Sequence, residues 1–309
     1  MRVVVAGLGV QGHKRRRVAG PDFVTEVDPR NMEARHRRIE EVPVDSYDAA
    51  LLCVPDDAKI ALLDYLVAHG KHALVEKPLF AGDAELARLE SAARRAGVLV
   101  YTAYNHRFEP HFVRMRDAIR SGELGRLYHC RMFYGNGTAR LVRDSEWRDA
   151  GAGVLPDLGS HLLDTLRFWF DGWDGRLELV GAERFENRSP DHVVLSARGA
   201  QPAVDLEMTL LNWRNHFYCD ILAEKGSAHI RSLCKWGPSE FILRKRVLPS
   251  GRPPEQVVTL IQDDPTWQLE YDWFKQACAS GQQTDLSTDR YIGRALGALE
   301  VRIAAGAGR

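Results

Sequence analysis

Apolar residues come in short runs over the first hundred positions of the chain, at Val3 to Leu8, Phe23 to Val27, Ala49 to Val54, Ala73 to Val75 and Val98 to Tyr101. Stretches with helical spacing lie between them, notably from near Gln11, at Ile60 to His69 and at Ala84 to Ala96. Short continuous apolar runs alternating with helices predict strands buried on both faces, hence a parallel sheet covered by helices. From about Gly125 the pattern changes. Strand-like segments now follow one another, at Leu127 to Tyr134, Leu177 to Ala182, Val193 to Ala197, Ala203 to Leu211, Phe217 to Ala223, Ala228 to Arg231, Phe241 to Arg244 and Val257 to Ile261. A single long helix, Pro156 to Phe170, stands among them, so the expectation is a large, mostly antiparallel open sheet. Two helices close the pattern, Trp267 to Ala279 and Thr288 to Ala304. The fold class that follows is α/β: a Rossmann doubly wound parallel sheet over 1–122, then an α+β domain over 123–309 for substrate and oligomerisation.

Composition narrows the function classes. The 309 residues are 45% hydrophobic and 27% charged, with 42 basic residues against 42 acidic ones. A balanced charge argues against nucleic acid as a partner, and the basic runs His13 to Arg17 and Arg35 to Arg38 read as solvated helix faces. Five scattered cysteines with no CxxC pair predict neither a disulfide framework nor a metal site. The first strand leaves no room for a signal peptide and no apolar run is long enough to span a membrane, so the expected location is the cytoplasm.

The chemistry begins at Gly7, Gly9 and Gly12, a GxGxxG turn between a strand and a helix that includes Val10 and Gln11. The glycines permit a tight turn, let a pyrophosphate approach the backbone and let the helix pack near the strand, with its amides facing the phosphates. Asp28, at the end of the second strand, is placed to accept from the adenosine ribose hydroxyls and favours NAD. Arg30, two residues on, could instead face a 2′-phosphate, which keeps NADP as the alternative.

Ligands of doubly wound sheets sit beyond the strand ends, which directs attention to Val54-Pro55, to Glu76-Lys77-Pro78 and to Asn105-His106-Arg107. Lys77 supplies a cation able to polarise a substrate oxygen. In the segment Gly151 to Asp164, Pro156 suits a helix start, and the four-residue spacing puts Asp157 and His161 on one face. A carboxylate one turn before an imidazole suits an acid/base for interconverting an alcohol and a ketone.

These motifs, together with Gly70-Lys71-His72, Asn105-His106-Arg107-Phe108 and Gly122-Glu123-Leu124-Gly125, resemble the Gfo/Idh/MocA oxidoreductases along nearly the whole chain. The resemblance implies that Lys77, Asp157 and His161 surround the reacting carbon, with His161 as acid/base and Lys77 holding the same oxygen. It also implies a cis bond before Pro78. Where the family has a longer helix, another strand and another helix, this chain has only Pro29 to Asp48, with Ile39 to Val42 as the nearest match to the strand.

The reading is an NAD(P)-dependent dehydrogenase or reductase acting on CH-OH groups. It would move a hydride between nicotinamide and a hydroxyl or keto carbon of a small polyhydroxylated substrate: a sugar, inositol, amino sugar or nucleotide sugar. Val54, Pro55, Glu76, Lys77 and Pro78 join the cofactor residues, while Asn105, Arg107, Trp147 and Arg148 join the catalytic trio in holding substrate. No metal is expected. Alternatives are an NAD-dependent glycosidase using transient oxidation and a non-catalytic dinucleotide sensor. A homodimer or homotetramer through the outer face of the second sheet is expected.

Overall fold

The computed structural model describes residues 1–145 and 148–306. They form two compact units, Met1–Asn105 with Pro265–Gly293, and His106–Asp264 with the chain from Arg294. The first unit is built on five parallel strands, β1 (Val3–Ala6), β2 (Phe23–Val27), β3 (Ala49–Leu52), β4 (His72–Glu76) and β5 (Val100–Ala103), in the order β2-β1-β3-β4-β5. Every residue of β1, β3 and β5 is buried, which explains why these strands carry no polar alternation. Helices α1 (Val10–Ala19), α2 (Asp56–Ala68) and α3 (Asp83–Ala96) connect them. Local chemistry sets the ends of α3. Asp83 and Glu85 occupy its first turn, Arg94 and Arg95 its last, so both sets of charges oppose the helix dipole. Gly97 then stops it at a φ of 66°, a conformation that costs glycine no Cβ strain. The strand order reverses between β1 and β3, which makes the loops after them the flanks of a switch-point crevice.

The shortened region after β2 differs from expectation. Ile39–Glu41 is a 3₁₀ turn and not a strand, although Ile39 and Val42 are buried at 1% and 2% exposure. Their apolar character marks core contacts. The only trace of a sixth strand among the described residues is one parallel bridge between His36 and Val27, with the Asp28 amide donating to His36 O at 3.0 Å. A parallel neighbour needs a crossover of a dozen or more residues, and the loop between β2 and His36 is too short to supply one. The first basic run lies on α1 with His13, Lys14, Arg16 and Arg17 exposed and only Arg15 buried, whereas Arg35 to Arg38 lie outside any helix and so depart from the solvated-helix reading.

The second unit begins with α4 (Pro110–Arg120), whose Pro110 start and inward Phe112, Met115 and Ala118 are a signal that the sequence reading passed over. Its sheet comprises β6 (Leu127–Gly135), β7 (Glu178–Glu183), β8 (His192–Ala197), β9 (Ala203–Thr209), β10 (His216–Ala223), β11 (Gly226–Arg231), β12 (Ser239–Lys245) and β13 (Glu255–Leu260). The order is β13-β12-β11-β10-β6-β9-β8-β7, antiparallel throughout except where β6 runs parallel to β9. Helices α5 (Ala139–Arg143) and α6 (Ser160–Trp169) fall between β6 and β7. On the covered face, the Trp169 indole of α6 donates to Phe112 O at 3.0 Å, and the Phe112 ring lies 5.0 Å from those of Trp169 and Phe217. The chain then returns to the first unit through α7 (Thr266–Ala279) and the start of α8 (Ser287–Gly306). Among the described residues, no helix is long and apolar enough to cross a membrane.

Two buried carboxylates organise the loop before β8. Asp191 accepts from the amides of Phe185, Glu186 and Asn187, while Asp149 accepts from the amide and hydroxyl of Ser189 and from Arg188. Gly153 completes the join. A Cβ there would lie 2.1 Å from Pro190 O, so only glycine allows the segment entering α6 to touch this loop. Burial alone raises the Asp149 carboxyl, but the Ser189 and Arg188 donors outweigh it and hold it below the ordinary carboxylate range. A carboxyl held low contributes its full stability above its unfolded value and loses it as pH falls through the folded one. Stability should therefore decline below about pH 4. Asp149→Asn should flatten that decline and cost about 1–3 kcal/mol near neutrality. Urea denaturation across this range checks it, and an unchanged acid limb in the variant would contradict it.

Candidate functional site

The residues expected to carry chemistry divide between the two units. In the first, a Cβ on Gly7 would sit 2.3 Å from Cys53 O and one on Gly12 1.8 Å from Gly7 O, so both glycines are required by packing. Gly9 differs. Nothing lies within 4 Å of its would-be Cβ, Val10 beside it is 74% exposed, and no side chain caps the start of α1. An uncapped helix start above an open glycine is a surface on which a phosphate can rest against backbone amides.

Asp28 closes this turn from β2. Its Oδ2 accepts from the Leu8 amide at 2.7 Å and its Oδ1 from the Arg30 and Asn31 amides at 2.8 Å. Burial raises this carboxyl, but the three amides, followed by the Arg30 charge, more than reverse the effect and keep it below the ordinary range. The carboxylate stays ionised, and with both acceptor sites of Oδ1 taken, Oδ2 retains a lone pair with which to accept a ribose hydroxyl. The Arg30 side chain is exposed. Val54 and Pro55 follow β3, with Pro55 at the N-cap of α2. Glu76 ends β4, and Lys77 and Pro78 follow across a cis peptide bond. Asn105, after β5, donates to Thr266 Oγ1 at 2.8 Å. The glycine turn, the acidic end of β2 and the strand ends together fit a dinucleotide.

In the second unit, the helix expected from Pro156 opens as one π turn, Leu155–Gly159, and continues as α6. A π turn is rare, and such turns occur frequently at functional sites. Gly159 makes it fit, since a Cβ there would come within 3.0 Å of Leu155 and Met208. Asp157, on this turn, has a side chain 41% exposed, and its Oδ2 lies 3.6 Å from Arg148 Nη2. His161 is 8% exposed, and its ring stacks on that of His106 with centroids 4.0 Å apart and planes 19° apart. Arg107 is engaged by Asp164, its Nε lying 3.0 and 3.1 Å from the two carboxylate oxygens. Burial pushes the Asp164 carboxyl above its ordinary range even though Arg107 pulls the other way. Trp147 lies outside the described residues.

Two neighbours of His161 had no place among the expected site residues. His106 is 2% exposed, and Tyr134 lies 5.6 Å from the His106 ring and 6.2 Å from that of His161. Burial, then the Asp157 and Asp264 carboxylates, raises the Tyr134 phenol well above its usual value, so this ring is a neutral wall beside the imidazoles. Tyr134 shares the inward parity of Met132 on β6. That alternation could have placed it on the helix-covered face.

Residues 112–229 match the family model described as GFO/IDH/MocA C-terminal domain. Among curated proteins, trans-1,2-dihydrobenzene-1,2-diol dehydrogenase of Oryctolagus cuniculus is 26% identical over 198 residues, 64% of this chain and 59% of that protein. The 1,5-anhydro-D-fructose reductase of Ensifer adhaerens is 38% identical over 103 residues, 32% of this chain and 30% of that one. The chain thus spans less than two thirds of the length of these relatives. Among solved structures, levoglucosan dehydrogenase in complex with NADH superimposes with a TM-score of 0.81 at 18% identity, covering 98% of this chain and 97% of that one. At that identity the likeness is one of fold.

The different roles of the glycines are separable. Gly9→Ala should leave the melting temperature nearly unchanged while weakening NADH binding, and Gly12→Ala should destabilise by about 3 kcal/mol or more through its backbone clash. Calorimetry and fluorescence titration check this. Undiminished NADH affinity in the Gly9 variant would remove the dinucleotide from this turn.

Proposed function

We propose, from the premise that the chain belongs to the Gfo/Idh/MocA family, that it is an NAD(P)-dependent dehydrogenase or reductase acting on the CH-OH groups of a polyhydroxylated ring substrate. The carrying observation is the pairing of functions in one chain. One unit has an open glycine turn at a sheet switch point with Lys77 beyond β4, and the other has a buried imidazole on a helix that opens with a π turn. Trans-1,2-dihydrobenzene-1,2-diol and 1,5-anhydro-D-fructose, named for the relatives, are both rings bearing hydroxyl or keto carbons, which supports a sugar, inositol, amino sugar or nucleotide sugar.

When bound, nicotinamide supplies or takes the hydride. His161 takes the hydroxyl proton in oxidation and returns it in reduction, and the buried stack against His106 sets the plane of its ring. Asp157 supports the imidazolium; being 41% exposed, it acts through a field that water partly screens. Lys77 donates to the same oxygen and stabilises the developing alkoxide. Arg148 and the fixed guanidinium of Arg107, with Asn105 and Trp147, hold the remaining substrate groups. Asp28 favours NAD over NADP, and a reducing cytoplasm suits the five thiols.

The uncovered face of the second sheet supports association with a second copy, as a dimer or tetramer. Phe133 and Tyr218 stack there with centroids 5.2 Å apart, and Leu222 and Val257 are each 48% exposed. Light scattering should give at least twice the monomer mass of 34.8 kDa, and a monomer at micromolar concentration would refute this assembly.

The catalytic reading is tested by following reduced nicotinamide while screening inositols, aldoses, amino sugars and nucleotide sugars with both cofactors. With the substrate found, His161→Ala and Lys77→Ala should each lower kcat by roughly 10²- to 10⁴-fold at nearly constant NAD affinity. Near-normal turnover in both variants would displace the active site from these residues.

A further inference from the structure

Two cations of the first unit are buried to a degree that hydride chemistry does not require. The side chain of Arg15 on α1 is 1% exposed and that of Lys59 on α2 is 3% exposed. An unpaired buried charge costs several kcal/mol, so the groups that compensate it reveal what the charge is holding. Arg15 Nε donates to Glu76 Oε1 at 2.7 Å, and Nη2 lies 2.7 Å from Glu270 Oε2. Lys59 Nζ donates to the carbonyl of Pro78 at 2.6 Å, and its carboxylate partner Asp56, also at 2.6 Å, is half exposed.

Glu76 and Pro78 are the two neighbours of Lys77. The side chain of one and the carbonyl of the other are tied to buried cations carried by different helices, each following a cofactor-side loop. We propose that Arg15 and Lys59 are positioning residues for Lys77, clamping the backbone on both sides of it; this rests on the reading that Lys77 serves the reacting oxygen.

A lysine ammonium rides on four flexible carbons, so the backbone from which it springs must be fixed before its position can be reproducible. Misplacing a reacting group by about 1 Å costs on the order of 10²-fold in rate. Packing alone gives a weaker account of these cations. Well-packed apolar residues often replace a buried ion pair at no loss of stability, and Lys59 spends its charge on a carbonyl and a surface carboxylate.

The test compares Lys59→Met, Lys59→Arg and Arg15→Lys with the unmutated full chain. The deciding readout is acylation of the Lys77 amine by limiting acetic anhydride, measured by peptide mass spectrometry against the exposed Lys245. Freed from its clamp, Lys77 should be labelled about threefold faster or more in Lys59→Met and Arg15→Lys, with Lys245 unchanged and Lys59→Arg restored toward the original rate. With a substrate in hand, kcat in Lys59→Met should fall by about 10- to 100-fold while KM and NADH affinity hold within about threefold. Lys77 labelling unchanged in all three variants overturns the clamp. Labelling needs no turnover, so a failed substrate screen would defeat the functional reading and leave the clamp to be decided separately.

Discussion

A guanidinium sealed from water constrains the first unit more than any other group. Arg15 can remain charged in the interior only where carboxylates follow it, and these come from Glu76 at the end of β4 and Glu270 of α7. Burial works against its charge, but Glu270 and then Glu76 outweigh that and hold it above the usual arginine value. The Trp267 ring, 4.3 Å from the guanidinium, closes the remaining side. Three segments far apart in sequence must therefore meet. The first unit is incomplete until the chain has returned at Pro265, and the same return brings Thr266 to Asn105, Tyr271 to Asp22 and Thr284 to Val100.

The second unit solves a different problem, that of holding an imidazole and a carboxylate in unlike surroundings one turn apart. The π turn before α6 carries Asp157 at a half-exposed position beside Arg148, whereas His161, at the start of the regular helix, is enclosed by His106 and Tyr134. A side chain at Gly159 would have to displace the ends of Leu155 and Met208, and the segment leading to the turn is joined to the loop before β8 through Asp149 and Gly153. Those contacts fix where the helix begins. They thereby set the positions of Asp157 and His161.

Local signals account for what could be read from the sequence. The glycine turn follows an apolar strand, Lys77 follows another, and Pro156 announces a helix, so each is visible within a few residues of itself. The five-strand sheet and the long mixed sheet follow from the same periodicities. Features that depend on distant partners were not legible. Arg15 sits in a basic run that resembles a solvated face, and only Glu76 and Glu270 explain its burial. Ile39 and Val42 have strand-like character because they fill the core, while the vestigial bridge falls at polar His36. His106 gave no sign that it would stack on His161, since the two are brought together by the packing of separate elements.

In the proposed reaction a hydride passes directly between a hydroxyl-bearing carbon and nicotinamide. The most direct measurement is isotopic: the substrate found by screening is labelled with deuterium on the reacting carbon, and the reduced cofactor is examined by mass spectrometry. Direct transfer predicts that the deuterium is recovered in the nicotinamide ring, with a primary isotope effect on the transfer step. Deuterium lost to solvent, with an unlabelled cofactor, would contradict the account.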